Sequence, residues 1–119
     1  MAPLEIASLI AQIASTIPFL ERRSPADRAD YLEAVLSRQE LKRCYELLLQ
    51  QFGSVAKDFG QSVKFDKQTA KIVEKIGGIW TDQCLFFLKM DGNTAVYTVL
   101  WPWASDASKI TLKAGVIQV

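Results

Sequence analysis

Four residues form the feature of this sequence best suited to recognising another molecule. They are Trp80 and the consecutive residues Trp101, Pro102 and Trp103. Indole rings are rigid and amphipathic, and tryptophan is prominent among the residues that dominate binding interfaces. A tryptophan cluster beside a proline would grip a peptide, a sugar or a nucleobase. The alternative is an aromatic lid over the edge of the core, with each indole N–H reaching solvent or a carbonyl group.

A ridge of lysines is the second candidate binding surface. Lys67, Lys71 and Lys75 recur at every fourth position, which places them on one face of a helix, and Lys64 is close in sequence. Such a ridge would meet phosphate or an acidic partner. The alternative is an ordinary solvated helix face, because acidic residues in the same segment dilute the positive charge.

The sequence shows no catalytic or metal-binding constellation. It contains no histidine, which excludes Ser-His-Asp and Cys-His catalysis and imidazole metal sites. Cys44 and Cys84 have no ligand spacing, and their apolar surroundings favour buried free thiols. Asp27, Asp30 and Glu33 recur every third position at a predicted helix start, where acids interact favourably with the helix dipole. We therefore predict a protein that is not an enzyme and binds no cofactor and no metal ion.

The composition is that of a single globular domain. The chain has 119 residues, half of them hydrophobic, so residues 1–119 suffice for one domain with its own core. The formal net charge of +1 gives the molecule no strong attraction for nucleic acid or an anionic membrane. Buried free thiols are typical of a reducing compartment, which favours a cytoplasmic location.

The apolar N-terminal segment, residues 4–17, is predicted to be an amphipathic helix that Pro18 ends. Its apolar stripe consists of Ile6, Leu9, Ile10, Ile13 and Ile17. The segment is shorter than the ~20 residues of a transmembrane helix, and Arg22 and Arg23 follow it, whereas a secretory signal carries its positive charge first. We expect no membrane association. The stripe packs either on its own domain or on a second copy of the chain, as an oligomer contact.

Capping signals predict further helices. Residues 24–27, Ser-Pro-Ala-Asp, supply a cap, a first-turn proline and a first-turn acid, so we predict a helix from there to about Leu36. Ser37 and Glu40 have the form of a capping box, which begins a new helix that Gly53 ends. One long helix through Ser37 is the alternative.

A loop and a last helix follow in the prediction. Residues 53–65 lack a clear period and are predicted to be a loop. Asp66 is placed to cap a helix over residues 67–76, and Gly77 and Gly78 are placed to end it. The lysine ridge would lie on this helix.

The second half of the sequence predicts an antiparallel hairpin. Two β-rich runs, residues 84–90 and 93–101, flank residues 91–92, an Asp-Gly dipeptide typical of a two-residue type I′ turn. The pairs set by that loop length are Met90 with Asn93, Leu88 with Ala95, Phe86 with Tyr97, and Cys84 with Val99. We assign these residues to the core face of the sheet. A third strand is predicted over residues 109–114, with Ile110 and Leu112 turned inward.

Together these elements predict an α+β fold in which three to four N-terminal helices pack on one face of a three-stranded antiparallel β-meander. The predicted function is a non-catalytic cytoplasmic interaction or adaptor module. It would bind a protein partner, or a second copy of itself, through the first helix or the Trp-Pro-Trp segment. The alternative, which we favour less, is single-stranded nucleic-acid binding by the lysine ridge, with Phe87 and Trp103 as stacking surfaces.

Overall fold

The computed structural model describes residues 5–25, 27–90 and 94–118. Within these residues the helices are α1 (Ile6–Thr16), α2 (Leu41–Phe52) and α3 (Lys67–Lys75), and a short 3₁₀ helix, Arg38–Glu40, precedes α2. The strands are β1 (Glu21–Arg22), β2 (Tyr31–Ser37), β3 (Cys84–Lys89), β4 (Thr94–Pro102) and β5 (Lys109–Gln118). All five strands pair antiparallel in one sheet with the order β1-β2-β5-β4-β3.

The sheet corrects the predicted architecture. The prediction of a three-stranded meander with three to four helices is wrong, because the described residues form three α-helices and a five-stranded antiparallel sheet. The fold class is α+β. Strand β5 lies between β2 and β4, so strands distant in sequence become neighbours. The helices are also divided between the two faces of the sheet, since α1 and α2 pack on one face and α3 packs on the other.

The predicted helix over residues 24–36 is wrong, because β2 occupies its second half. The side chains that β2 buries in the main core are Leu32, Ala34 and Leu36. These side chains recur at every second position, which is the alternation of a strand, and antiparallel pairing with β5 places them in the sheet. Ser24 caps no helix there. Its hydroxyl accepts a hydrogen bond from the backbone N–H of Glu33 at 2.9 Å, which fixes the turn before β2.

The helix boundaries predicted from capping residues are confirmed at three positions. The Ser37 hydroxyl accepts a hydrogen bond from Gln39 N, so a new helical segment begins there. Gly53 ends α2 in the left-handed conformation at φ +84°, which glycine adopts without strain. The Asp66 carboxylate caps α3 by accepting a hydrogen bond from Thr69 N at 2.7 Å.

The hairpin of β3 and β4 is present, but the predicted pairing is wrong by one residue. Phe86 lies opposite Thr98, and Met90 N donates to the Thr94 carbonyl at 2.9 Å. Residues 91–93 therefore separate the paired positions, one residue more than the predicted two-residue turn. That turn, with Asn93, lies outside the described residues. Because side chains alternate along a strand, the shift exchanges the two faces of β4.

The main core lies between the sheet and the helices α1 and α2. The stripe residues Leu9, Ile10, Ile13 and Ile17 are at most 4% exposed and pack with the sheet residues Phe86, Leu100 and Leu112. Ile6 is partly buried against the same cluster. Each fully buried side chain of this size stabilises the fold by roughly 1.5–3 kcal/mol. The stripe predicted as a core or oligomer contact thus packs in the core of its own chain. No helix among the described residues is long and apolar enough to cross a membrane.

The second face of the sheet has a smaller core. Leu85, Tyr97 and Val99 are buried there, and Val73 and Ile76 of α3 pack against them. The exchange of faces along β4 is what brings Tyr97 and Val99 to this side. Away from α3, the same face carries polar and aromatic side chains that stay partly exposed.

The ring of Tyr97 lies so close to Gly115 that a side chain at position 115 would crowd it. Replacing Gly115 therefore tests the packing on the second face of the sheet. A Cβ atom at Gly115 would lie 3.0 Å from the Tyr97 hydroxyl oxygen and 3.2 Å from two ring carbons. In the interior of a strand, alanine is normally more stabilising than glycine. Here we expect Gly115→Ala to lower the free energy of unfolding by about 1–3 kcal/mol, as overpacking does, in urea denaturation.

The control for this experiment is Val116→Ala, at the exposed neighbouring position of β5. It should change the free energy of unfolding by no more than about 0.5 kcal/mol. The double variant Gly115→Ala with Tyr97→Leu should recover part of the lost stability, because the ring is gone. A Gly115→Ala protein as stable as the wild type would contradict the described contact.

Candidate functional site

The end of β4 places two of the tryptophans on the second face of the sheet. Trp101 pairs with Thr111, and beyond Pro102 the pairing continues, with Trp103 N donating to the Lys109 carbonyl at 3.1 Å. Residues two apart on an extended chain point to the same side. The Trp103 indole N–H then donates to the Thr111 hydroxyl at 2.7 Å, which holds the ring against β5.

Two tyrosines continue this aromatic surface across the neighbouring strands. Tyr97 of β4 and Tyr31 of β2 both lie opposite Gly115, on either side of β5. Burial raises the pKa of both phenols, and the Glu33 carboxylate, which accepts a hydrogen bond from the Tyr31 hydroxyl at 3.0 Å, raises that of Tyr31 further. Both phenols therefore stay neutral donors at physiological pH. We call the surface formed by Tyr31, Trp80, Tyr97, Trp101 and Trp103 the aromatic face.

Trp80 joins this face from the loop between α3 and β3. Its side chain is 72% exposed, more than any other large hydrophobic side chain in the described residues. The loop is nevertheless fixed by its own hydrogen bonds. Trp80 N donates to the Gln83 side-chain oxygen at 2.9 Å, and Gln83 N donates to the Trp80 carbonyl at 3.0 Å. These bonds fix the backbone from which the exposed indole projects.

A buried lysine anchors the Trp80 loop to the rest of the domain. Lys57 is 3% exposed, and its ammonium group donates to the carbonyl oxygens of Asp58, Thr81 and Gln83 at 2.7–2.9 Å. An ammonium group has three N–H donors, and all three are used. The backbone of Lys57 also pairs with Leu85 at the edge of β3. Lys57 was not predicted from the sequence, because it lies in a segment without hydrophobic periodicity. Nothing in such a segment distinguishes a buried lysine from an exposed one.

Two cavities open on the aromatic face, and Trp101 lines both of them. The first has a volume of about 260 Å³, and its lining includes Trp80, Trp101, Tyr97 and Val99. The second has a volume of about 520 Å³, and its lining includes Trp101, Pro102, Trp103, Arg23 and Thr111. The structure therefore brings the four predicted site residues, Trp80, Trp101, Pro102 and Trp103, to one surface.

Cations cover the rings of this face. Lys113 lies 4.9 Å from the ring centre of Trp101; Arg23 and Lys109 lie 5.4 and 5.1 Å from that of Trp103; Arg28 lies 5.2 Å from that of Tyr31. A cation within about 6 Å of a ring is attracted by the negative charge of the ring face. These contacts favour fixed positions for the aromatic rings, and the cavities beside the rings stay open.

Each of those cations is also paired with a carboxylate. The pairs are Arg23 with Glu21 at 3.6 Å, Arg28 with Asp30 at 2.9 Å, Lys109 with Asp106 at 3.7 Å, and Lys113 with Glu33 at 3.6 Å. The Arg28 guanidinium lowers the pKa of Asp30, and hydrogen bonds from Ser108 lower that of Asp106. The aromatic face is therefore close to neutral overall.

The lysine ridge lies elsewhere. Lys64, Lys67, Lys71 and Lys75 are all exposed. At 100° per residue, the ridge on α3 points away from the side that buries Ile72 and packs Ile76 against the sheet. Phe87, the other predicted stacking residue, is partly buried against the smaller core. The structure thus separates the ridge from the aromatic face.

Among the described residues, the titratable groups outside this face form no reactive cluster. Within those residues no group of three or more His, Cys, Asp and Glu side chains is placed to hold a metal ion. Cys44 and Cys84 are buried free thiols, and burial raises the pKa of each to about 12. The acids predicted at a helix start lie before and within β2, where Asp30 and Glu33 pair with Arg28 and Lys113.

Comparisons of this chain with known proteins give no match to a family model, to a curated protein or to a solved structure.

Replacing Lys57 tests the anchoring of the Trp80 loop. Lys57→Met keeps most of the side-chain volume but removes the donor to the Gln83 carbonyl, whereas the Thr81 and Asp58 carbonyls keep hydrogen bonds from Gly60 N and Gln61 N. One acceptor left unpaired costs roughly 1–3 kcal/mol, so we expect the free energy of unfolding to fall by about 1–3 kcal/mol in urea denaturation. The matched control Lys64→Met, at an exposed position, should change it by no more than about 0.5 kcal/mol. Equal stability of the two variants would contradict the structural role of Lys57.

The raised pKa values predict a loss of stability at alkaline pH. Burial raises the pKa of Cys44 and Cys84 to about 12, and burial with the Asp58 carboxylate raises that of Tyr45 to about 12. In the unfolded chain thiols ionise near pH ~8.5 and phenols near ~10, so above these values the unfolded state binds fewer protons. The free energy of unfolding should stay level up to about pH 8 and fall as the pH rises toward 12.

Urea denaturation under reducing conditions between pH 7 and 11 measures this slope. A Cys84→Ala variant should show a shallower decline, because one of the groups with a raised pKa is removed. A free energy of unfolding that stays constant to pH 11 would contradict the described burial.

Proposed function

We propose that this chain is a non-catalytic interaction module that binds an extended segment of a partner protein on its aromatic face. The observation that carries the proposal is the position of Trp80, which is 72% exposed yet held by an ordered loop beside Trp101. A large apolar side chain that is exposed beside a cavity is a candidate anchor for an interaction partner. Tryptophan is also the residue that most often dominates such sites.

The size of the first cavity favours an anchor side chain over a free small molecule. Pockets that enclose a small-molecule ligand are usually about 300–1,000 Å³, and this one has about 260 Å³. A single side chain of a longer segment fits that volume. The second cavity shares Trp101 with the first, so such a segment has a neighbouring space in which to continue.

The charge of the face argues against the nucleic-acid alternative. A single-stranded nucleic acid needs unpaired cations along its backbone as well as stacking rings. Here Arg23, Lys109 and Lys113 each have a carboxylate within 4 Å. The exposed lysine ridge lies on the side of α3 that faces away from the sheet. Binding of a protein segment is the better fit to a neutral aromatic surface.

Self-association through the first helix is also disfavoured as the main activity. Leu9, Ile10 and Ile13 are buried under the helix, so an oligomer contact there would have to open the core. We therefore assign partner binding to the aromatic face. Because Cys44 and Cys84 are reduced and buried, we further propose that the module works in the cytoplasm.

Selection from a random dodecapeptide phage library tests the proposal. The immobilised wild-type protein should enrich peptides that bind with a measurable dissociation constant in fluorescence anisotropy. Trp80→Ala should weaken them by at least about tenfold, since truncating an anchor residue of a binding site costs about 2 kcal/mol or more. Because Trp80 is exposed, this variant should keep the melting temperature of the wild type.

The matched control is Leu20→Ala, which removes another exposed apolar side chain that lines neither cavity. Its affinity for the selected peptides should equal that of the wild type. Failure to enrich any peptide, or peptides that bind Trp80→Ala equally well, would contradict the proposal. Salt-sensitive binding of a labelled oligothymidine that Lys71→Met weakens would replace it with the nucleic-acid alternative.

A further inference from the structure

We infer that the chain forms a symmetric dimer in which α2 of one copy packs antiparallel against α2 of a second copy. This goes beyond the proposed function, because α2 and the aromatic face lie on opposite faces of the sheet. Three features carry the inference: an apolar groove along α2, the hydrogen bonds that fix its side chains, and two unpaired charges of opposite sign in its lining.

An apolar groove of about 480 Å³ lies along α2, outside the main core. Leu41, Tyr45 and Leu49 recur at every fourth position of the helix, and Phe59 completes the apolar part of the lining. Leu49 is 38% exposed, whereas the residues that α2 buries in the core are at most 7% exposed. A ridge of side chains four residues apart is the surface with which one helix packs on another.

The aromatic side chains of the groove are held in place. The Asp58 carboxylate accepts hydrogen bonds from the Tyr45 hydroxyl at 2.9 Å and from the backbone N–H of Phe59 at 2.8 Å. The Tyr45 ring also packs edge-on against Phe86 of the main core, with ring centres 5.4 Å apart. Because these groups are already ordered, a second copy can bind without the entropy cost of fixing them.

The groove also has one cation and one carboxylate in its lining, and neither is paired. Lys42 and Glu46 are exposed. Within the described residues neither of them forms an ion pair, whereas the neighbouring Arg43 pairs with Glu40 at 3.5 Å. Such a surface is complementary to one that carries the same two charges in the reverse order. An antiparallel copy of α2 is a surface of that kind.

A two-fold axis matches the charges and the apolar residues at the same time. If the axis lies in the interface and is perpendicular to the helices, the flank with Lys42 and Glu46 is on the same side in both copies. Lys42 of each copy then lies opposite Glu46 of the other copy, and Leu41 lies at the level of Leu49. These pairings are centred on positions 44 and 45, about 1.5 Å apart along the helix. One axis therefore serves both.

The occupant of the groove is a second copy rather than a small apolar ligand, since a small ligand would leave both charges unused. The contact is confined to one helix of 12 residues, about 18 Å long, so it buries less than the roughly 800 Å² per partner of a standard interface. The dimer is therefore weak and reversible, with a dissociation constant of about 1–100 µM. Both aromatic faces stay accessible in it, which makes the dimer bivalent for a partner.

Sedimentation equilibrium of the full chain between about 5 and 500 µM tests the dimer. The average mass should rise with concentration from that of one chain toward that of two. Leu49→Lys should weaken the association by at least about tenfold, and it should keep the wild-type melting temperature because Leu49 is partly exposed. The matched control is Leu20→Lys, at an exposed apolar position outside the groove, which should leave the dissociation constant unchanged.

Exchanging the charges tests the antiparallel arrangement itself. Lys42→Glu and Glu46→Lys should each weaken self-association by about fivefold or more, since like charges then meet twice in every dimer. The double variant should recover the wild-type affinity. The two single variants should bind each other at least about fivefold more tightly than either binds itself, in fluorescence-detected sedimentation of labelled Lys42→Glu. Lys71→Glu, at an exposed position of α3, is the control and should change no affinity.

The possible results separate this inference from the proposed function. A chain that stays monomeric at about 500 µM would overturn the dimer, and so would a dimer that Leu49→Lys leaves intact. Single charge variants without a preference for each other would overturn it too. A monomer that binds anilinonaphthalene sulfonate, and loses that binding in Leu49→Lys, would assign the groove to a small apolar ligand instead. Peptide binding through Trp80 is independent of all these results, so either proposal can fail without the other.

Discussion

The binding face depends on the register at which β4 pairs with its neighbours. Phe86 opposite Thr98 and Trp101 opposite Thr111 decide which side chains of β4 enter the main core. A shift of one residue would turn Tyr97 and Trp101 under α1 and α2 and bring Leu100 to the second face. Both the main core and the aromatic surface follow from this one alignment. The positions of the cations on β5 follow from it as well.

The register is supported from both edges of the hairpin. On one side β5 pairs with β4 along its full length, and Gly115 leaves space for the Tyr97 ring. On the other side, Lys57 pairs with Leu85 through its backbone and holds the Trp80 loop through its ammonium group. Burial of Phe86 and Leu100 on one face and of Leu85 and Val99 on the other makes a slipped alignment costly. The site is thus built on the sheet and on one loop tied to it.

Local signals in the sequence predicted the features that are decided locally. The caps at Ser37 and Asp66 and the glycine that ends α2 depend on hydrogen bonds and backbone angles within a few residues. Strand β2 was not predictable in this way, because its partner β5 lies far away in sequence and pairing overrides local preference. The one-residue error in the hairpin came from reading the loop length from an Asp-Gly pair. That dipeptide favours a two-residue turn but does not require one.

Of the residues at the candidate site, only the tryptophans and the proline between two of them could be predicted from the sequence. Their residue type suggested recognition, and the structure brings them to one surface. The cations over the rings come from the segment between β1 and β2 and from β5, so no sequence spacing relates the arginines to Trp101 or Trp103. Their carboxylate partners are equally scattered, which is why net charge alone could not separate a peptide-binding face from a nucleic-acid-binding one. Lys57 has no local signal at all, since its three acceptors are backbone carbonyls.

The register itself can be measured by NMR contacts between backbone α-protons of β3 and β4. Leu85 directs its N–H and C=O toward Lys57, so Phe87 and Tyr97 form a non-hydrogen-bonded pair in which the two Cα atoms are about 4.5 Å apart. The account predicts a strong contact between the α-protons of Phe87 and Tyr97, and another between those of Leu85 and Val99. A strong contact between the α-protons of Phe87 and Val96 would contradict it, because β4 would then be shifted by one residue and Tyr97 and Trp101 would leave the second face.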